Sequence, residues 1–129
     1  MAQLVHRSLS HSVLGAAFSV ANILGPGLLE AVYEQALVIE LTHQGLQVEQ
    51  QKAFPVFYKG ELAGAYLADL VVEDTIILEL KSVKEFAPAH EAQLVNYLRI
   101  SKLPVGYLMN FRNPKVQYRR FVNLRSRSR

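Results

Sequence analysis

Apolar residues recur at every third or fourth position through the first third of the chain, as they do along one face of an α-helix. This spacing predicts a first helix over residues 4–24, and the Gly-Pro-Gly turn at residues 25–27 ends it. The spacing resumes from residue 28 to residue 41 and stops at Gly45, which predicts a second helix. The chain therefore begins with two helices joined by a tight break.

After residue 46 the pattern changes to short runs of β-branched, aromatic and alternating residues, which predict strands. These runs are residues 48–52, 54–58, 61–72 and 76–83. Pro55 suits an edge strand or a bulge because proline has no N–H for a central ladder. Turns at Lys59-Gly60 and at residues 73–75 connect the runs, so we expect a three-stranded meander.

A third helix and two further strands complete the predicted order. Pro88 suits the start of a helix over about residues 89–102, and Pro104 ends it. The strands are residues 105–111 and 116–122, with a turn at residues 112–114 between them. The order ααβββαββ predicts an α+β domain with a mixed sheet, in an α/β sandwich-like architecture.

Charged residues stand inside two of the predicted strands, where a buried strand would be apolar. Asp69 lies in the first, and Glu79 and Lys81 lie in the second. Because side chains alternate across a strand, Glu79 and Lys81 share one face with Ile77. Burying an unpaired carboxylate is costly, so these positions indicate either a solvated sheet face or a cluster compensated by a cation.

The length of the turn between these strands decides whether Asp69 joins Glu79. A three-residue loop at residues 73–75 pairs Val72 with Ile76 and places Asp69 directly opposite Glu79. A two-residue loop would send the two acids to opposite faces. The sequence Asp-Thr is not a preferred two-residue turn, which favours the longer loop.

Two carboxylates that close together require a counter-charge, which a divalent cation supplies. Carboxylates, a carbonyl and waters are the oxygen ligands that Mg²⁺ or Mn²⁺ prefers. Lys81 would then lie beside the ion, where an ammonium can orient an attacking water or offset charge on a phosphate. The alternative is a solvated strand face with a Glu–Lys ion pair worth at most about 1 kcal/mol.

Four motifs occur in order: Gly27-Leu-Leu-Glu30-Ala-Val-Tyr33, Tyr66-Leu-Ala-Asp69-Leu, Glu79-Leu-Lys81 and His90-Glu-Ala-Gln93-Leu-Val-Asn-Tyr97-Leu. In order and spacing they resemble the GxxExxY protein family, a small bacterial and archaeal group in the PD-(D/E)XK nuclease-like superfamily. The resemblance covers about residues 5–123. It implies a restriction-endonuclease-like core, in which helices flank a central mixed sheet.

The resemblance also implies a metal site and a catalytic residue. Asp69 and Glu79 would bind Mg²⁺ or Mn²⁺, with the main-chain carbonyl of Leu80 as a further ligand. Lys81 would be the catalytic lysine. Glu30, on the second helix, would support the metal site, often through water.

Further residues of the motifs are candidates for contact with the substrate or support of the site. Gln93 and Tyr97 match a Gln-x-x-x-Tyr element that lines the site in many nucleases of this class. Tyr33 lies one helical turn from Glu30, where it could either donate a hydrogen bond to that carboxylate or simply fill space. His90 shares a helical face with Gln93 and Tyr97, where it could contact phosphate, carry a proton, cap the helix or pack.

The C-terminal end of the chain is rich in basic residues. Residues 112–129 hold seven Arg or Lys and no acid, whereas the other 111 residues hold seven basic and eleven acidic residues. We expect residues 1–123 to form one nuclease-like domain and residues 124–129 to form a flexible basic tail. Such a tail can bind polyanions through counterion release, or it can be a solvated terminus.

Two other features of the composition concern location and partners. The absence of cysteine excludes disulfides and thiolate metal sites, in agreement with a cytoplasmic protein. The uncharged stretch at residues 13–29 is interrupted by Asn22 and the Gly-Pro-Gly turn and is too short to span a bilayer, so no membrane partner is expected. A small open sheet often pairs with a second copy, which leaves a homodimer open.

The sequence therefore predicts a divalent-metal-dependent nuclease that hydrolyses phosphodiester bonds in DNA or RNA. One alternative is a catalytically silent protein that retains the nuclease fold as a nucleic-acid-binding or protein-interaction module. Another is a partner-binding protein whose acidic cluster is a solvated sheet face.

Overall fold

The computed structural model describes residues 6–123. Its elements are α1 (Arg7–Leu24), α2 (Glu30–His43), β1 (Val48–Tyr58), β2 (Glu61–Val72), β3 (Ile76–Lys81), α3 (Pro88–Ser101), β4 (Val105–Asn110) and β5 (Gln117–Val122). The order ααβββαββ confirms the predicted fold class. The first residues of the predicted first helix and the basic tail at residues 124–129 lie outside the described residues.

The five strands form one sheet in sequential order, β1-β2-β3-β4-β5. All neighbouring strands are antiparallel except β3 and β4, which are parallel and are joined by α3 as a crossover helix. β1 is a single strand rather than two runs, and it continues through Pro55 because it lies at the sheet edge. The register with β2 shifts between Val56 and Phe57, next to that proline.

β3 ends at Lys81, two residues earlier than predicted. The buried amide of Asn110 on β4 is the physical reason, because it replaces the ladder at Val83. The Val83 N–H donates to Asn110 Oδ1 at 3.1 Å, and Asn110 Nδ2 donates to the Val83 carbonyl at 2.7 Å. The segment after Lys81 is therefore tied to the end of β4 by a side chain instead of a strand pair.

Helices cover the sheet on both faces. One face packs against α1 and α2 in a core that includes Leu70, Leu78 and Leu80. The other face packs against α3 in a second core, where Ile77 meets Leu94. Since the side chains of β3 alternate between these cores, Glu79 and Lys81 lie on the face that α3 covers.

The loop between β2 and β3 has the predicted three residues. Val72 pairs with Ile76, and pairing continues to Leu70 and Leu78. Glu73 and Asp74 both have a positive φ, of 51° and 50°, which gives the left-handed turn that a tight hairpin favours. The predicted register is therefore confirmed.

Candidate active site

Asp69 and Glu79 face each other at the next step of the β2–β3 register, just beyond the last backbone pair. There the two side chains replace the regular ladder. The Asp69 N–H donates to Glu79 Oε2 at 3.0 Å, and the Leu80 N–H donates to Asp69 Oδ2 at 2.9 Å. Each carboxylate is thus bound to the main chain of the opposite strand, which holds the two acids side by side.

Burial and charge act strongly on Glu79, which is 5% exposed. Its burial, and then the charge of Asp69, raise the pKa of Glu79 to about 8. The N–H of Asp69 and the charge of Lys81 act in the opposite direction, but they do not balance the burial. The negative charge of the two carboxylates is therefore not fully compensated by the protein, and a bound proton or a cation would compensate it.

Lys81 is the last residue of β3 and is half-buried. Its main-chain carbonyl accepts a hydrogen bond from the Phe111 N–H at 3.0 Å, which fixes the strand end against β4. Its side chain shares the α3 face with Glu79, close enough for its charge to lower the pKa of that acid. The alternation of β3 thus places the Lys81 side chain on the same face of the sheet as Glu79.

The donor set suits a hard divalent ion. Mg²⁺ is usually bound by one or two carboxylates and keeps several waters. In a strand, the N–H and C=O of one residue point to the same side, so we expect the Leu80 carbonyl to point toward Asp69, as its N–H does. Within residues 6–123, no three Asp, Glu, His or Cys side chains are grouped to share an ion, so an ion bound by Asp69 and Glu79 would also need main-chain oxygen and solvent.

Glu30 contacts the main chain just after Lys81. It lies in the first turn of α2, and its Oε2 accepts a hydrogen bond from the Ser82 N–H at 2.9 Å. This bond joins α2 to the end of β3. Glu30 therefore fixes the path of the chain one residue beyond Lys81.

Of the two alternatives for Tyr33, the structure shows the buried, space-filling ring, and its hydroxyl has partners that were not predicted. Its hydroxyl donates to the Gly25 carbonyl at 2.6 Å and accepts from the Leu28 N–H at 3.1 Å, rather than bonding to Glu30. Its ring stacks on Phe111 at 4.7 Å and is 1% exposed, so it cannot contact a substrate in this conformation. The tyrosine closes the turn before α2, which the positive φ of Gly25 and Gly27 allows.

We expect Tyr33→Phe to lower the free energy of unfolding by about 1 to 2 kcal/mol, because the phenylalanine keeps the ring stack and leaves two main-chain groups without their partner. Urea unfolding at equilibrium measures this loss. Tyr58→Phe is the control, since Tyr58 is 66% exposed and its change should stay within about 0.5 kcal/mol. An equal loss in both variants would contradict the role of the Tyr33 hydroxyl.

His90 caps α3. Its Nδ1 accepts a hydrogen bond from the Ala87 N–H at 3.0 Å, and this occupies the lone pair of that nitrogen. Of the alternatives for this residue, the structure shows the cap. The histidine therefore fixes the start of the helix that carries Gln93 and Tyr97.

Gln93 and Tyr97 lie one turn apart on α3, with Gln93 exposed and Tyr97 half-buried. The Gln93 amide is near enough to the Tyr97 phenol to lower its pKa, against the larger effect of burial. Burial, and then the charges of Glu79 and Asp69, raise the pKa of Tyr97, so its phenol stays protonated near the acids. The Tyr97 ring stacks on Tyr66 at 3.3 Å, which attaches this side of α3 to β2.

Two residues beside the acids were not predicted. Gln51 on β1 donates from Nε2 to Asp69 Oδ1 at 3.3 Å and to Glu34 Oε1 at 3.1 Å. The only sequence signal for Glu34 is its position one helical turn after Glu30. Gln51 has no comparable signal, because its contact depends on how β1 pairs with β2.

Comparisons with known proteins give the family. The family model of the PD-(D/E)XK nuclease superfamily matches residues 7–121. No curated protein matches the sequence.

Two crystal structures resemble the fold. SSO0001 has 17% sequence identity and a TM-score of 0.55, over 93% of this chain and 60% of that chain. LHK-Exo in complex with dAMP has 12% identity and a TM-score of 0.49, over 83% of this chain and 76% of that chain. The chain thus spans less than two thirds of the length of SSO0001.

No helix within residues 6–123 has the length and apolar character required to cross a membrane. With its sheet order, its paired acids on the neighbouring strands β2 and β3, and a family match over nearly its whole length, the chain belongs to the PD-(D/E)XK nuclease superfamily.

Proposed function

We propose that this protein is a divalent-metal-dependent phosphodiesterase that cleaves DNA or RNA, and that it belongs to the GxxExxY group of the superfamily. Residues 1–123 form one nuclease-like domain in this proposal. The observation that carries it is the Asp69–Glu79 pair, which is bound to the main chain on both strands and short of positive charge. A solvated strand face would not bury Glu79.

Asp69 and Glu79 would hold Mg²⁺ or Mn²⁺ together with the Leu80 carbonyl. When bound, such an ion supplies Lewis-acid stabilisation of the negative charge on the scissile phosphate. The ammonium of Lys81 adds a second positive charge on the same face and orients the attacking water. Glu30 keeps Lys81 in place through the Ser82 main chain.

The side of α3 that carries Gln93 and Tyr97 would meet the substrate. The exposed Gln93 amide can donate to a backbone phosphate or to the water. Tyr97 remains a protonated donor there, since its pKa is raised. His90 affects the positions of Gln93 and Tyr97 only by capping the start of α3.

Cleavage assays with and without metal test this proposal. Labelled single- and double-stranded DNA and RNA are incubated with the purified chain in Mn²⁺, in Mg²⁺ or in EDTA. We expect cleavage of at least one substrate only with a divalent ion, and none with Asp69→Asn, which removes a charged ligand. A chain whose melting temperature responds to no divalent ion would overturn the proposal, because an ion that binds the folded state must raise it.

The same assays address the silent alternative. In this alternative the Asp69–Glu79 pair binds an ion or a proton without supporting turnover, which the two carboxylates grouped among residues 6–123 are equally able to do. Nucleic acid binding and a Mn²⁺-dependent rise in melting temperature, both without cleavage, would point to a binding module.

A further inference from the structure

Gln51 has an unusual conformation for a residue in the middle of a strand. Its neighbours pair regularly, Gln50 with Leu70 and Lys52 with Ala68, which places Gln51 opposite Asp69. Gln51 itself has a φ of 49°, in the left-handed region that side chains other than glycine rarely adopt. Such strain persists only where the surroundings hold it, and it is often found at functional sites.

The side chain of Gln51 lies between two carboxylates. Its Nε2 donates to Asp69 Oδ1 at 3.3 Å, and to Glu34 Oε1 at 3.1 Å and Oε2 at 3.3 Å. Because both neighbours can only accept, the NH₂ end of the amide must face them, with one hydrogen for each. The 3.1 Å bond to Glu34 lies within the usual range for N–H···O bonds, and the two contacts at 3.3 Å are slightly longer and therefore weaker.

Both carboxylate oxygens of Asp69 therefore accept a hydrogen bond. Oδ2 accepts from the Leu80 main chain, and Oδ1 accepts from Gln51. Each carboxylate oxygen can accept more than one contact, so these bonds fix the rotation of the group and still leave acceptor capacity for an ion. Glu34 is held in turn by Gln50, whose Nε2 donates to Glu34 Oε2 at 3.0 Å.

We propose that Gln51 is a positioning residue, which links Glu34 on α2 to Asp69 on β2 and sets the rotation of the Asp69 carboxylate for metal binding. This inference rests on the proposed function. It also gives the strained backbone a reason: the left-handed conformation at residue 51 accompanies an amide that faces Asp69 and Glu34 together. Residues that orient a metal ligand typically change metal affinity or activity by about 10- to 100-fold when they are replaced.

Gln51→Gly separates this role from general stability. Glycine adopts a positive φ without strain, which offsets the lost hydrogen bonds and the greater freedom of the unfolded chain, so the metal-free variant should melt close to the wild-type temperature. The Mn²⁺ concentration at half of the maximal rise in melting temperature should increase about 10-fold or more. We expect the kcat for cleavage to fall as well, with little change in the KM for nucleic acid. A merely structural role would not combine undiminished stability with weaker metal binding.

Gln50→Ala is the matched control. Gln50 is the same residue type on the same strand, and among the hydrogen bonds of the described residues its side chain donates only to Glu34. Its Mn²⁺ response should therefore stay within about threefold of the wild type, because Asp69 keeps both of its donors; that margin is well below the change of about 10-fold or more expected for Gln51→Gly.

The outcomes separate this inference from the proposed function. A wild-type chain without any Mn²⁺ response overturns both. A wild-type response that Gln51→Gly retains in full, or that Gln50→Ala loses equally, overturns only the role of Gln51. A metal-free Gln51→Gly that melts well below the wild type would also overturn it, since the residue would then be needed for the fold.

Discussion

We expect Lys81→Ala to lower the single-turnover rate of phosphodiester cleavage by about 100- to 1,000-fold and to leave Mn²⁺ binding intact. The variant removes the ammonium that lies on the same face as Glu79, and a preorganised charge at a reacting phosphate has an effect of that size. The two acids keep their main-chain partners, since neither Asp69 nor Glu79 is bound through the Lys81 side chain. Removing a cation from beside them should, if anything, tighten the binding of another.

Two measurements check this result. The rate is measured with enzyme in excess over a labelled substrate at saturating Mn²⁺, and the melting temperature is followed over a Mn²⁺ titration. Lys84→Ala is the matched control, because Lys84 is exposed in the segment after β3 and follows Lys81 by three residues. A Lys81→Ala enzyme that cleaves as fast as the Lys84→Ala enzyme would remove Lys81 from the mechanism.

The fold could be predicted because each element follows a local rule. The two helices at the start show a three-to-four spacing, and proline and glycine mark where most elements begin and end. The juxtaposition of Asp69 and Glu79 was also predictable, although the residues are ten positions apart. A single local quantity, the number of residues in the turn at 73–75, sets the register, and the side-chain period of two then fixes the shared face.

The parts that could not be predicted depend on contacts between elements distant in sequence. β3 is short because the Asn110 amide, 27 residues later, binds Val83. Gln51 meets Asp69 because β1 pairs with β2, and it meets Glu34 because α2 packs on the same part of the sheet. Local spacing in the sequence indicates neither of the two Gln51 contacts, because the side chain of a glutamine in a strand can equally well face solvent.

The Gly-x-x-Glu-x-x-Tyr motif contains one residue whose place could be predicted from the sequence and two whose contacts could not. Its glycine could be assigned to a turn from residue type alone, and Gly27 has a φ of 97°. Its glutamate and tyrosine act on different partners: Glu30 on the main chain after Lys81, and Tyr33 on the turn at Gly25. Glu30 therefore joins α2 to the end of β3 and Tyr33 closes the turn before α2, whereas the proposed metal ligands lie on the strands.

The stability of the metal-free protein should depend on pH, because Glu79 is an acid whose folded pKa of about 8 lies above its ordinary value of 4.5. Below pH 4.5 both the folded and the unfolded chain hold this proton, and its contribution to stability is fully present. As the pH rises toward 8, the unfolded chain releases the proton while the folded chain retains it, so stability falls until the folded pKa is passed. In the absence of metal, we expect this group to make the fold less stable at pH 9 than at pH 5 by about 2 to 4 kcal/mol, since one pKa unit corresponds to about 1.4 kcal/mol and relaxation reduces the full shift.

Glu79→Gln isolates this contribution, since the amide oxygen can still accept from the Asp69 N–H but does not titrate. Urea unfolding of both proteins in EDTA from pH 5 to pH 9 should show that the variant gains stability relative to the wild type as the pH rises, with little difference at pH 5. Glu85→Gln, at an exposed position after β3, should show no such trend. Mn²⁺ should restore the wild type at pH 9 and leave Glu79→Gln unchanged, because the ion replaces the proton only where the carboxylate remains. A stability difference that does not vary with pH would mean that the buried acid is already compensated by the fold, and the need for a cation at this site would disappear with it.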